Sequence, residues 1–493
     1  MTAPLPLPAL WTASEVLAAT DGQGPGGWRA SGVTIDSRTV QPGDLFVAIK
    51  GPNFDGHRFV DEALRRGAVA ALVQRRPEGL DDGARLVRVK DSLRGLQDLG
   101  RAARRRSSAR ILGITGSAGK TGSKEALRCA LSAQGKTEAN AASFNNHWGV
   151  PLSLARLPRD AAFGIFEMGM NHAGELSELT QMVLPDVALI TNIGLAHLAF
   201  FTSPTRIADA KAEIFEGLND QGAAVLPRDD RQYDRLAATA NRLGVRYLIT
   251  FGRHPEADLR LIKADCGSQT SRVTLELFGE TLRYRLPVPG EHWVLNSLGV
   301  LAAVRAAGAN VETAARAFDN LKAGKGRGAQ ITVTLPARQG RPGGDIRIID
   351  DSYNANPLSL RAGLKVLAGM TPQAGGRRVV LLGEMLELGE ETPRHHAALK
   401  DPIVQAGVEL ALTCGAAMTD LDRQLPAALR GHHFADSQAL AEAAVTLLRP
   451  GDIVLVKGSL GSQMARVVTA LTALGSAADD SGSAETHRRI GEA

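Results

Sequence analysis

The run Ile111-Leu112-Gly113-Ile114-Thr115-Gly116-Ser117-Ala118-Gly119-Lys120-Thr121 joins an apolar strand to a glycine-rich turn ending in Lys-Thr. Those residue types suit a nucleoside triphosphate. Glycines let backbone N–H groups face phosphate oxygens, Lys120 brings a point charge for the terminal phosphates, and the Thr121 hydroxyl is a hard ligand for Mg²⁺. The glycines fall at 113, 116 and 119, with Ile114 six places before Lys120, which is a variant of the common Walker spacing. Gly122 to Leu131 reads as the helix that the loop opens. Nothing in the loop selects the base.

Further segments carry chemistry. Glu167 ends the apolar run Phe163–Glu167, where a buried carboxylate needs a partner; beside a phosphate loop it is placed to hold Mg²⁺, and a hydrogen-bonded structural acid is the plainer alternative. Thr191-Asn192-Ile193-Gly194-Leu195-Ala196-His197 is followed, fourteen residues after the histidine, by Lys211. Taken singly, a satisfied histidine and a surface lysine explain both. Asp350-Asp351-Ser352-Tyr353-Asn354-Ala355-Asn356-Pro357 closes an apolar strand with polar residues; Asx turns and a proline at the first helical position account for Asn354, Asn356 and Pro357.

Elements must hold these residues in place, and 493 residues suggest about three domains of ~150 each. Residues 1–106 read as a small α/β unit, with short strands over 32–38 and 44–48 split by Gln41-Pro42-Gly43 and a helical pattern from Gly56 to Gly67. Residues 107–325 alternate helical patterns with predicted strands at 111–115, 163–167, 187–191 and 223–226, which predicts a parallel sheet. In such sheets ligands sit beyond the carboxyl ends of the strands, where Lys120, Glu167 and Asn192 fall. Residues 326–475 repeat the pattern, with predicted strands at 346–350, 378–382, 410–413 and 453–456, as a Rossmann-like unit. It lacks Gly-x-Gly-x-x-Gly, which argues against a nicotinamide or flavin. The tail 476–493, rich in Ser, Ala, Gly and charge, is expected to be disordered.

Composition narrows the class. Hydrophobic content of 44% and charged content of 22% are ordinary for a soluble globular chain, and no run of ~18 apolar residues offers a membrane span. Residues 1–10 lack a basic start and a cleavable apolar core, so the expected location is cytoplasmic. Cys129, Cys266 and Cys414 read as buried thiols in a reducing compartment, with no metal or catalytic role. The net charge of +5 owes part to the run Arg101-Ala102-Ala103-Arg104-Arg105-Arg106, read as a solvated helix end; with aromatics at 4%, nucleic acid is not expected as a partner.

Together the segments resemble the Mur ligase family, over most of the chain. The likeness rests on the phosphate loop, Asp36-Ser37-Arg38, Gly43-Asp44-Leu45-Phe46, Phe54-Asp55-Gly56-His57, Asn145-Asn146-His147-Trp148-Gly149-Val150-Pro151, Glu167-Met168-Gly169, Asp351 to Pro357 and Leu386-Glu387-Leu388-Gly389. Tyr353 to Pro357 points to the MurF-type branch. The resemblance implies three domains: an N-terminal domain for a uridine nucleotide, a central P-loop ATPase, and a C-terminal Rossmann-like domain that closes with the amine substrate. It implies ATP-dependent ligation of D-alanyl-D-alanine to UDP-N-acetylmuramoyl-tripeptide through an acyl phosphate, for peptidoglycan synthesis, by a monomer.

Carried over residue by residue, the resemblance puts ATP on Gly116, Ser117, Ala118, Gly119, Lys120, Thr121, Asn296 and Arg327. Substrates fall to Asp36, Ser37, Arg38, Asn145, Asn146, Asp351, Tyr353, Asn354 and Asn356. Thr121 and Glu167 would hold one Mg²⁺, His197 a second, and Lys211 would be carbamoylated beside it. Lys120, Lys211 and His197 form the implied catalytic set. Gly122 stands where the family commonly has a hydroxylated residue, and Leu460 where arginine is frequent. Other readings are a MurE-type or folylpolyglutamate synthase-like ligase, or a nucleotide-driven switch without ligation.

Overall fold

The computed structural model describes residues 9–51, 54–81, 83–141, 144–195, 198–201, 203–337, 343–475 and 477–478. Near the amino terminus β1 (Trp11–Thr12) and β2 (Arg29–Ala30) pair antiparallel. Beside them β3 (Gly32–Thr34), β4 (Asp44–Val47), β5 (Ala70–Val73) and β6 (Leu86–Arg88) form a parallel sheet in that order. Leu45 and Val47 pack into one apolar layer and Phe46 and Ala48 into the other, so the middle strands are buried on both faces, the usual state of a parallel sheet. The helical pattern at 56–67 resolves into a 3₁₀ turn, Gly56–Phe59, and a short helix, Val60–Arg65.

The arginine run departs from the expected solvated helix end. It closes the helix Ser92–Arg106, and Arg104 turns inward to donate to the carbonyls of Val183 and Leu184 in the next domain, at 2.9 Å each. Arg106 lies over the Trp11 ring, 3.8 Å from its centroid. The carbonyls that end a helix and a flat indole face accept guanidinium groups that composition alone assigns to water.

The central sheet contains β7 (Arg110–Thr115), β8 (Thr137–Ala139), β9 (Phe163–Glu167), β10 (Val187–Ile190), β11 (Ala223–Pro227), β12 (Tyr247–Gly252), β13 (Leu259–Cys266), β14 (Ser271–Leu277) and β15 (Glu280–Leu286). Its order is 8-9-7-10-11-12-13-14-15, parallel as far as β13 and antiparallel from there to β15. The predicted strands are parallel as expected, and the hairpins β13 to β15 extend the sheet beyond them. In β14, Val273 and Leu275 are buried while Arg272 is exposed, an alternation that leaves one face to solvent and suits hairpins rather than crossovers. Phe278 and Gly279, both at positive φ, form the turn between β14 and β15. Helices Lys120–Ser132 and Glu291–Ala306 pack on one face through Leu127, Leu131 and Leu298; helices Glu175–Val183, Pro204–Ala212 and Tyr233–Arg242 cover the other through Leu179, Ile207 and Leu236.

The C-terminal sheet holds β16 (Ala329–Leu335), β17 (Gly344–Asp351), β18 (Arg378–Leu382), β19 (Leu410–Cys414), β20 (Arg430–Phe434), β21 (Ile453–Lys457) and β22 (Ala477–Ala478), in the order 20-19-18-21-17-16-22. Strands β17 to β21 are parallel, and β16 and β22 add antiparallel partners at one edge. Within the tail, Ala477 and Ala478 pair antiparallel with β16, and 479–493 lie outside the described residues. Of the thiols expected to be buried, Cys414 is buried, Cys129 half-buried, and Cys266, at the polar end of β13, exposed. No helix among the described residues is long and apolar enough to cross a membrane.

Candidate active site

The phosphate loop starts where β7 ends and runs into the helix Lys120–Ser132. Two glycines are required by its geometry. Gly116 has φ +149° and any Cβ there would overlap the Thr191 hydroxyl; Gly119 has φ +82° and a Cβ would stand 2.5 Å from Asn296 Nδ2. Asn296, on the helix Glu291–Ala306, is thereby held against the loop from a distant stretch of sequence.

The residues after β10 clamp the first half of the loop. Ser117 N donates to Asn192 O and Ala118 N to Asn192 Oδ1, both at 3.0 Å, while the Thr191 hydroxyl and Asn192 Nδ2 donate to Ala118 O at 2.6 and 2.9 Å. The amides of Ser117 and Ala118 thus hold the loop's shape. The amides that open the following helix have no intrahelical acceptor and form an anion site. Lys120 Nζ donates to Gly116 O at 2.7 Å. Burial lowers the Lys120 pKa, with Arg327 adding to the shift and the carboxylates of Glu167 and Glu387 opposing it.

Glu167, the last residue of β9, is buried. Its Oε2 accepts from the Thr121 hydroxyl at 2.8 Å and its Oε1 from Asn145 Nδ2 at 2.9 Å. Asn140, absent from the sequence-level reading, fixes the backbone behind it: Nδ2 donates to Glu167 O at 3.0 Å and Oδ1 accepts from Glu167 N at 2.9 Å. The donor set of Thr121 and Glu167 is hard oxygen, as Mg²⁺ requires. No group of three or more His, Cys, Asp or Glu side chains that could hold a metal ion occurs among the described residues. Asn146 Oδ1 accepts from Gly149 N at 2.9 Å and so caps the helix Gly149–Ala155.

Lys211 ends in the core of the helix Pro204–Ala212 at 1% exposure, with no hydrogen-bond or ion-pair partner among the described residues. Burial pushes its pKa well below the ordinary lysine range, and the positive charge of Lys120 pushes it the same way. Both causes favour the neutral amine. His197 lies outside the described residues.

The C-terminal domain reaches this site through the loop after β17. Lys457, at the end of β21, donates to Asp351 Oδ2 at 2.5 Å and to Asn354 O at 2.9 Å. Arg327 stacks on Tyr353, 4.2 Å from the ring centroid. Asn356 caps the helix Pro357–Ala368 through its Oδ1 and donates from Nδ2 to Ser117 O at 3.3 Å, linking this domain to the phosphate loop. A cleft of about 860 Å³ results, lined from both domains and including Ser117 to Thr121, Asn145, Asn146, Glu167, Asn296 and Arg327 with Asp351, Tyr353, Asn354 and Asn356.

Asp36, Ser37 and Arg38 are not among the residues lining this cleft. They sit in the N-terminal domain, where Arg38 Nη2 and Asp36 Oδ2 pair at 2.7 Å and the Ser37 hydroxyl donates to Glu62 at 3.2 Å. Sequence reasoning also missed His292 and Trp293, which line the cleft from the helix that carries Asn296. Burial holds the His292 pKa down at about 4, so the ring is neutral at physiological pH. The Trp293 ring lies against Gly122, where a Cβ would approach it to 3.0 Å and press on the ring. The available signal was the spacing of His292 and Asn296 one helical turn apart.

Three family models match the chain: "Mur ligase family, catalytic domain" over residues 29–104, "Mur ligase middle domain" over 114–304, and "Mur ligase, glutamate ligase domain" over 338–460. An Escherichia coli K12 protein named UDP-N-acetylmuramoyl-tripeptide--D-alanyl-D-alanine ligase is 34% identical over 442 residues, 89% of this chain and 93% of the relative. A crystal structure of MurF from Acinetobacter baumannii superposes with a TM-score of 0.80 at 27% identity, over 95% of this chain and all of that one. The MurF ligase of Thermotoga maritima in complex with ADP gives 0.73 at 26% identity, over 90% of this chain and 97% of that one.

Proposed function

Because the chain belongs to the Mur ligase family, we propose that it uses ATP to join D-alanyl-D-alanine to UDP-N-acetylmuramoyl-tripeptide in peptidoglycan precursor synthesis. The observation that carries this reading is convergence: the phosphate loop, Glu167 and the segment from Asp351 to Asn356 meet in one cleft, so phosphoryl transfer and amide formation share a site.

The tripeptide's terminal carboxylate takes the γ-phosphoryl group of ATP. The dipeptide amine then attacks the acyl carbon, the C–O bond to phosphate breaks, and the ammonium's surplus protons leave on phosphate and to solvent. No enzyme nucleophile is needed. Lys120 and the first-turn amides neutralise charge at positions set before reaction. Arg327, whose charge is felt at Lys120, attends the phosphates, and Asn296 meets adenine beside Gly119. Thr121 and Glu167 would hold Mg²⁺, which would supply positive charge against the phosphates. The Lys211 amine, which burial favours in its neutral form, would add CO₂ with release of a proton, and the carbamate with His197 would hold a second ion. Asp36, Ser37 and Arg38 bind the uridine nucleotide, and Asp351, Tyr353 and Asn354 line the dipeptide side. The same reading takes the protein to work as a monomer in the cytoplasm.

The test is incubation of the purified protein with ATP, Mg²⁺, D-alanyl-D-alanine and a UDP-muramoyl tripeptide carrying diaminopimelate or lysine. Product of the summed mass less water, with phosphate release dependent on both acceptor and dipeptide, is the expected result. Phosphate release indifferent to both supports a nucleotide-driven switch instead.

A further inference from the structure

Thr121 and Glu167, the oxygen pair suited to Mg²⁺, come from different elements: the helix Lys120–Ser132 and the end of β9. A third residue of that helix ties the two together. Lys124 lies one helical turn beyond Thr121, on the same side of the helix, and is 0% exposed. Its Nζ donates to Asn140 O at 2.7 Å and stands 3.3 Å from the Glu125 carboxylate. The Asn140 side chain spans the backbone of Glu167, donating to its carbonyl at 3.0 Å and accepting from its amide at 2.9 Å, and Glu167 Oε2 accepts from the Thr121 hydroxyl at 2.8 Å. The four residues close a ring that leaves the helix at Lys124 and returns to it at Thr121.

Asn140 is the member of the ring that most needs an anchor. It follows β8, a three-residue strand at the edge of the central sheet, hydrogen-bonded among the described residues to β9. So short an edge makes few ladder bonds and opens locally at low cost. A buried ammonium is also a costly way to fill the space that Lys124 occupies, since methionine has a similar volume and no charge to desolvate. What lysine supplies and methionine does not is a directed donor on four methylenes, long enough to reach from the helix to a carbonyl on another element.

We propose that Lys124 is a positioning residue for the divalent cation: by holding Asn140 it keeps the Glu167 carboxylate in register with Thr121. The proposal rests on the nucleotide and Mg²⁺ reading above and adds the residue that maintains the geometry of the ion's ligands. Lys124 is not among the residues lining the cleft, so it acts through Glu167 and not on the nucleotide.

The test titrates ADP by calorimetry into wild-type protein and variants, once in EDTA and once with saturating Mg²⁺; the ratio of the two affinities is the gain from the ion. In Lys124→Met that gain should fall about tenfold, the usual loss when a group that orients a metal ligand is removed, while ADP affinity in EDTA stays within about twofold of wild type. Lys124→Gln, neutral and one bond shorter, should show the same loss and replaces the methionine variant if that does not fold. Asn140→Ala should also lose the gain, and adding Lys124→Met to it should change the gain by less than about twofold, because the two residues act in series. A gain in Lys124→Met within about twofold of wild type, equal weakening of ADP with and without the ion, or losses that multiply in the double variant overturn the assignment. Wild-type ADP binding indifferent to Mg²⁺ overturns the metal reading itself, and this proposal with it.

Discussion

Replacing Lys211 by methionine should stabilise the protein and abolish ligation together. The side chain is 1% exposed and has no partner among the described residues, so burial favours the neutral amine in the folded state while the unfolded chain keeps its proton. Methionine fills a similar volume with no polar group to leave unpaired, so a gain of about 1–3 kcal/mol is expected. For a domain of this size each kcal/mol raises Tm by ~2–4 °C. The sign follows from the lowered pKa. Between the folded and unfolded values the unfolded chain binds more protons, so wild-type stability rises with pH there. The advantage of Lys211→Met is full below the folded value and closes as pH approaches the unfolded one. Thermal melts at several pH values in CO₂-free buffer, run beside the ligation assay, read both effects. A variant that melts several degrees lower at neutral pH, or that ligates at the wild-type rate, refutes the reasoning.

Other substitutions probe the remaining parts of the account. Lys120→Ala should lower kcat/KM by more than about a thousandfold while circular dichroism and Tm stay near wild type, because among the described residues the ammonium's hydrogen bond is to Gly116 O alone. Arg38→Ala should raise KM for the UDP-linked peptide and leave that for ATP unchanged; Arg38 is 82% exposed, so losing its pair with Asp36 should cost under ~1 kcal/mol of stability by denaturant titration. Asn140→Ala leaves the buried amide and carbonyl of Glu167 unpaired and should destabilise by about 2–4 kcal/mol in urea, with a higher Mg²⁺ requirement for turnover.

Local chemistry was legible and distant geometry was not. The phosphate loop, Glu167 at a strand end and the proline that opens the helix after Asn356 can be read from a few adjacent residues, because strand, turn and cap preferences act over that range. The antiparallel end of the central sheet could not be read as easily, since short alternating runs such as Ser271–Leu277 compete with a strong parallel signal earlier in the domain. Arg104 and Arg106 look like solvent charges until a helix terminus and an indole from elsewhere in the chain come to meet them. The roles of Asn140 and Trp293 depend on contacts that spacing does not encode. Asn192, placed near the phosphates by its position after a strand, in fact spends its side chain holding the loop.

The account turns on an acyl phosphate formed between a peptide carboxylate and ATP. The most direct measurement is ligation with the tripeptide's terminal carboxylate labelled with ¹⁸O on both oxygens, followed by mass analysis of both products. One label in the released phosphate and one in the new amide carbonyl is the predicted result. Unlabelled phosphate accompanying labelled amide, or release of phosphate with no amide at all, would contradict it.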